Sequence, residues 1–415
     1  MSPPAAFLTL VAISIAACYG IEAGPAAAPP VVLGDPAGPE IVVALSRGGT
    51  AIEVGGGSAL RVLDGNGGPI AELPAGTAAQ AAAEGIRVGL RLGGMTLGPS
   101  PTLHLVSRDS TVRVAEREYR GRIEITATTT GLLVVNRLGI EDYLAGVVNT
   151  EMGRRAPGEE AALEAQAIVS RTFAFRALGR WRTQGFDLVS SIADQAYAGL
   201  GTETSAGRAA VGTTRGVVIT YAGQPVEAFF HSTCGGRTAE GGETFINGNL
   251  SYLRSVSDAS PSGQSWCAIS PRYQWREEWT GDQLKATLQS TLPAIANVAA
   301  SRVRELEDVV VTGRSASGRV SEIRIQLASG GVAITGQNIR RVLRPEGLPL
   351  LRSNAFELRS DRSGNRLARL IVEGRGNGHG VGMCQWGAVG RARAGHSAEQ
   401  IVAAYFPGTM LERRW

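Results

Sequence analysis

Aromatic residues make up only 6% of this 415-residue chain, against 55 glycines, so turns must be many and the strands between them thin. Histidine is scarce too: there are four, and they are scattered. No block of one charge is present. The 41 Lys and Arg are spread among 37 Asp and Glu for a net charge of +4, which excludes the clustered basic face of a nucleic-acid-binding protein. The apolar run Phe7 to Ala17 is too short to cross a bilayer as a mature helix, and neither another membrane segment nor an internal repeat follows it. What remains is a chain that is 43% hydrophobic, enough for a large core, with a sequence pI of 9.0 that suits an anionic envelope polymer.

The N-terminus argues for export to the periplasm or cell envelope. Residues 1–23 read as a signal peptide, with small residues and prolines after the apolar run, although residues 1–7 lack the usual Lys or Arg. The order Ile15, Ala16, Ala17, Cys18 resembles a bacterial lipobox, which would make Cys18 a lipidation site and the only means of membrane attachment. The alternative is cleavage among Ala23 to Ala28, with Cys18 discarded. Residues 24–39, with five prolines, read as a linker.

From Glu40 the pattern is of strands: IVVAL, AIEV, LRVLD, IRVGL, LHLV, VRVAE and IEITAT, separated by glycine-rich turns. Helices are expected at 158–178, around Asp282 to Ser290, and at Ser397 to Tyr405, where Ser397 and Gln400 have the spacing of a capping box. The fold class expected is α+β, with curved antiparallel sheets and a few helices around a central cleft. A strand-rich N-terminal lobe is placed at 40–119, either integral or separate, and one further domain at 120–412.

Within that domain, Glu151 lies at a junction. Tyr143 to Val148 before it reads as the strand-like end of a buried element, while Gly153, Pro157 and Gly158 after it break the chain. In the helix that follows, Ala161, Ala165, Ile168, Thr172 and Phe175 fall on one stripe, with Gln166 and Ser170 on another face and Arg171 on a third. On local sequence alone Glu151 is a surface carboxylate paired with Arg154 or Arg155.

A resemblance gives it another role. EDYLAGVVNTEM (141–152), the helix with Ala165, Gln166, Arg171 and Thr172, AFFHSTCGGRTA (228–239), and GNGHGVGMCQWGAVGRARAGHSAEQIVAAYFPGT (376–409) resemble, in order, the motifs of the stage II sporulation protein D family, which includes the amidase-enhancer proteins. The likeness spans roughly residues 120–412. It implies a peptidoglycan lytic transglycosylase, in which Glu151 protonates the leaving oxygen and then serves as base for the sugar's own 6-hydroxyl, giving a 1,6-anhydro product. A hydrolase would need a second carboxylate. Burial among Val147, Val148 and Met152 would raise the pKa of Glu151 toward neutrality, as such an acid requires.

The resemblance also implies glycan contacts at Gln166, Arg171, Tyr197, His231, Ser232, His379 and Gln385. No cofactor is implied, and the partners are glycan strands or, in the enhancer branch, a cell-wall amidase. Two departures run against catalysis: Glu164 stands where the family usually has Lys, and Asn377 where it has Trp. Some relatives bind zinc just before the segment that resembles DQAYAG, but Asp187 to Asp194 contains no His or Cys, so no metal is expected there. In an oxidising compartment one disulfide is expected, assigned to Cys234 and Cys267. A zinc site of His231, Cys234, Cys267 and Cys384 is the alternative, and its spacing matches no known finger. A Cys384/His379 peptidase lacks an orienting Asn or Asp.

Overall fold

The computed structural model describes residues 38–415. The signal segment 1–23, Cys18 and nearly all of the 24–39 linker lie outside the described residues. Among the described residues no helix is long and apolar enough to cross a membrane.

All seven strand runs expected from the sequence are strands, because their residues alternate between core and solvent, as in Thr111–Val114 and Thr102–Ser107. They form two sheets. The first has seven strands in the order Leu188–Val189, Glu40–Gly49, Gly131–Gly139, Arg122–Thr128, Thr102–Ser107, Leu60–Asp64 and Pro69–Leu73. The second has six, in the order Arg117–Arg120, Thr111–Val114, Ala51–Gly55, Ala78–Glu84, Arg87–Leu92 and Met95–Ser100. Pairing is antiparallel except for the short Leu188–Val189 strand, and Ile41 lies opposite Leu138. The strands at 122–128 and 131–139 belong to the same sheet as 40–49, so the backbone pairing shows no boundary at 119/120 and the lobe continues to residue 139.

The helices among the described residues are α1 (Ile140–Met152), α2 (Glu160–Arg176), α3 (Ser205–Thr213), α4 (Gly281–Ala296), α5 (Asn338–Val342), α6 (Gln385–Arg393) and α7 (Ala398–Tyr405). α7 starts with the expected Ser397/Gln400 capping box. α2 is not amphipathic. Besides Ala165, Ile168, Thr172 and Phe175 it buries Gln166, Ser170 and Arg171, because α1, α3, α6 and α7 pack around it. The strand lobe and these helices share one apolar core that includes Ile41, Leu90, Val147, Ile168 and Tyr405.

Residues 274–375 form a second body with a core of their own, built on Trp275, Leu284, Leu288, Ile323, Leu370 and Val372. One three-stranded sheet orders Gln274–Thr280, Arg366–Arg375 and Phe356–Ser363; the other orders Leu306–Arg314, Val320–Leu327 and Val332–Thr335. Its entry and exit are adjacent, since Gln274 pairs with Arg375. The span 120–412 thus contributes to two apolar cores. The second is inserted between the motif at 228–239 and the motif at 376–409, which remain neighbours because the insertion closes on itself.

Candidate functional site

The strand-like reading of Tyr143 to Val148 is wrong: these residues are helix α1. Ile140, Tyr143, Leu144, Val147 and Val148 recur at three- and four-residue intervals, a helical stripe, and Glu141 and Asp142 occupy the first turn where the helix dipole favours them. β-branched Val147 and Val148 lend the run its strand-like composition. The stripe continues to Glu151, four residues after Val147, so the fold sets a carboxylate where an apolar side chain would be expected. The helix then stops at Gly153, whose φ of 66° suits glycine.

Glu151 is consequently half-buried, and desolvation raises its pKa above the ordinary 4.5, opposed by hydrogen bonds from Ala196 and Gln385. Its place at a helix C-terminus acts in the same direction as burial. Oε1 accepts the Ala196 N–H at 2.7 Å and Oε2 a long contact from Gln385 Nε2 at 3.5 Å. No cation pairs with it among the described residues. Arg155 instead faces Glu159 at 3.9 Å and lies over the Trp386 ring at 5.0 Å, and Arg154 is exposed.

Glu151 stands on a floor of amides. Gln385 Nε2 also reaches Gln166 Oε1 at 3.4 Å, Gln166 Nε2 donates to Ser170 Oγ at 2.9 Å, and Gln195 Nε2 donates to the Ser170 carbonyl at 3.4 Å. Tyr143 Oη in turn donates to Gln195 Oε1 at 3.1 Å. Gln385 arrives there through backbone pairing. Phe230–His231 runs parallel to Met383–Cys384, and the Trp386 N–H donates to the Ser232 carbonyl at 3.0 Å, so the two downstream motifs are knitted together at the start of α6, which packs on α2. Glu151, Gln166 and Gln385 are therefore brought into one place.

The other expected residues lie elsewhere in the framework. Arg171 is fully buried and its guanidinium is held by both Glu141 oxygens at 2.8 and 2.9 Å; it has no surface to offer a glycan. Tyr197 is also buried, donating to Asn136 Oδ1 at 2.8 Å, with its ring so close to α1 that a Cβ on Gly146 would meet it at 2.7 Å. His231 and His379 grip the backbone of Val381 from two sides: His231 Nδ1 lies 3.1 Å from its carbonyl, and His379 Nδ1 accepts its N–H at 3.1 Å. Burial pushes the His379 pKa down to about 4 and that of His231 well below 6.5, so both rings are neutral. Ser232 is half-buried, its Oγ 3.4 Å from Thr233 Oγ1. Cys234 and Cys267 are buried, with Sγ atoms 3.4 Å apart, against about 2.05 Å for a disulfide.

Sequence reasoning missed Gln195 and the Ala196 amide, although both sit in the DQAYAG segment beside Tyr197. It also assigned no role to Glu141 or Asp258. A hollow of about 670 Å³ at the strand lobe, lined by Asp64, Asn66, Arg87 and Ser100, and a smaller one near Glu305 do not reach Glu151. Its distinction lies in burial without a counter-charge.

That distinction sets a pH dependence. A carboxyl with a folded pKa raised above its unfolded value contributes stability below the unfolded pKa, and this is lost as pH rises through the folded one. Glu151→Gln is neutral throughout. Its unfolding free energy should match the wild type below about pH 4 and exceed it at about pH 8, as measured by urea titration. A difference that does not change with pH would contradict the desolvation of Glu151.

By fold and site, the chain is an α+β protein that presents one desolvated, unpaired carboxylate from the end of a buried helix. Residues 128–221 match the family model described as stage II sporulation protein, and residues 267–382, which contain the second body, match one described as a domain of unknown function. The chain is 30% identical to stage II sporulation protein D of Bacillus subtilis over 74% of its own length and 84% of the relative's. It is 30% identical to an uncharacterised protein of Brachyspira hyodysenteriae over 70% and 71% of the two lengths, and 24% identical to the amidase enhancer of Bacillus subtilis over 65% and 40%. The chain belongs to the stage II sporulation protein D family.

Proposed function

We propose that the protein is a peptidoglycan lytic transglycosylase with Glu151 as its single acid and base. The observation that carries this reading is a carboxylate whose pKa is raised by burial, held by two neutral amides and, among the described residues, acted on by no other charged side chain. In the neutral form, Glu151 gives its proton to the glycosidic oxygen as the bond from that oxygen to the anomeric carbon breaks. The resulting carboxylate then takes the proton of the same sugar's 6-hydroxyl, whose oxygen closes on the anomeric carbon. The acid is regenerated and no water is consumed. The Ala196 N–H supports the carboxylate in the second half, and Gln385, anchored through Gln166, fixes its orientation. Half-exposed Trp386, next to Gln385, offers the aromatic surface that Asn377 does not. The substrate would be met outside the cell, in keeping with the export signal expected at residues 1–23.

One relative is an amidase enhancer, and that name supports a second reading: a glycan-binding partner of a cell-wall amidase, without turnover. Digestion of purified glycan strands followed by mass spectrometry separates the possibilities. Anhydro-ended products are expected. Reducing ends heavier by one water would mean hydrolysis, and the absence of products together with stimulation of an added amidase would favour the enhancer.

A further inference from the structure

We infer that Cys234, Asp258, Cys267 and Cys384 form a structural zinc site behind the candidate active site. All four side chains are buried, and one donor atom from each lies within 4.8 Å of all the others. Tetrahedral zinc, with bonds of about 2.3 Å to sulfur and 2.0–2.2 Å to oxygen, sets its donors about 3.5–3.8 Å apart. The observed separations are 3.4 Å from Cys234 Sγ to Cys267 Sγ and 3.4 Å from Cys234 Sγ to Asp258 Oδ2. Seating the ion on that edge asks for outward movement of only about a few tenths of an ångström.

A disulfide would use two of the four groups and leave a buried thiol and a buried carboxylate unexplained. Metal ligation uses all four, and backbone N–H groups converge on two of the sulfurs. Cys384 Sγ receives the N–H groups of Cys234 at 3.2 Å and Gly387 at 3.3 Å, and Cys234 Sγ that of Gly236 at 3.4 Å. Cys384 is also the N-cap of α6, so its sulfur faces the first backbone N–H groups of that helix. Asp258 Oδ1 is occupied by Tyr405 Oη at 2.6 Å and faces Arg391 at 3.7 Å, so Oδ2 is the oxygen turned toward the sulfurs. Outer partners of this kind fix the orientation of a metal-ligating carboxylate.

Charge balance agrees. Three thiolates and a carboxylate around a divalent ion leave a net dianion, and the buried arginines Arg391 and Arg319 stand beside it, Arg319 donating to the Cys234 carbonyl at 2.8 Å. His231, the fourth ligand considered from sequence, is not in the cluster and binds Val381 instead. With four protein ligands and no open position, the ion would be structural, not catalytic. Its task is legible from the connections: it ties the 231–236 loop and the short helix Trp266–Ile269 to the N-terminus of α6, the turn that delivers Gln385 to Glu151.

The test uses the full chain purified without chelator or metal-affinity tag. Elemental analysis should find about one zinc per chain, and titration with an organomercurial should release it as Cys234, Cys267 and Cys384 react. Cobalt substituted into the wild type should show thiolate-to-metal absorption, a readout that does not depend on any variant folding. Cys384→Ser and Asp258→Ala should lose the zinc or hold it at least about tenfold more weakly against a competing chelator. A wild type that takes up neither zinc nor cobalt, or non-reducing peptide maps that show Cys234 joined to Cys267, would overturn the proposal. Both outcomes are independent of whether the protein cleaves glycans.

Discussion

Glu151→Gln is expected to lower glycan-strand cleavage by about a hundredfold to ten-thousandfold while leaving strand binding and the fold in place. The amide preserves the shape of the side chain and can still accept the Ala196 N–H that the carboxylate takes at 2.7 Å. It cannot give up a proton to the glycosidic oxygen. Since desolvation raises the pKa of Glu151, the reactive neutral form persists above the ordinary carboxyl range, and the wild-type kcat/KM should fall as pH rises through that raised value. The measurement is initial rates on purified strands together with strand binding by sedimentation. Wild-type turnover in the variant would remove Glu151 from the chemistry; loss of binding along with activity would point to a positioning role instead.

Much of the architecture could be read from the residues because strand periodicity needs only short-range alternation. The runs at 102–107 and 122–128 are strands wherever their apolar faces find a partner. Less legible were features decided by tertiary context. α1 carries a helical stripe, but Val147 and Val148 also suit a strand, and only packing against α2 settles the matter. α2 looked amphipathic because Gln166, Ser170 and Arg171 are polar, yet the fold buries all three and satisfies each by hydrogen bonds. The second core was hidden for another reason. A domain inserted between two motifs leaves no mark on the local pattern when its ends lie side by side, as Gln274 and Arg375 do. The cysteines show the same limit from the side of chemistry: Cys234 and Cys384 lie in motifs of the resemblance, but Cys267 and Asp258 belong to none of them and only the structure brings all four together.

Arg171 is where the structure most changes an expectation from sequence, and it gives the largest expected loss of stability. A glycan contact would make Arg171→Ala a binding defect in a well-folded protein. The geometry predicts the reverse. Nε and Nη2 clasp the Glu141 carboxylate, Nη1 reaches Thr214 Oγ1 and the Val217 carbonyl at 3.2 Å each, and Nη2 also donates to the Val211 carbonyl at 3.1 Å. Glu141 Oε1 additionally accepts Gly216 N–H at 3.1 Å and Trp415 Nε1–H at 3.0 Å. One ion pair therefore joins α1, α2, the turn after α3 and the end of the chain. Removing the cation leaves a largely buried carboxylate and two carbonyls without it, which should destabilise the protein by about 3–5 kcal/mol. Urea titration of Arg171→Ala measures this, and a variant that unfolds like the wild type but no longer binds glycan would restore the contact role. The double variant Glu141→Leu/Arg171→Met supplies the sharper discrimination: with both charges gone and the volume filled by apolar atoms, much of the lost stability should return, whereas a lost glycan contact would not.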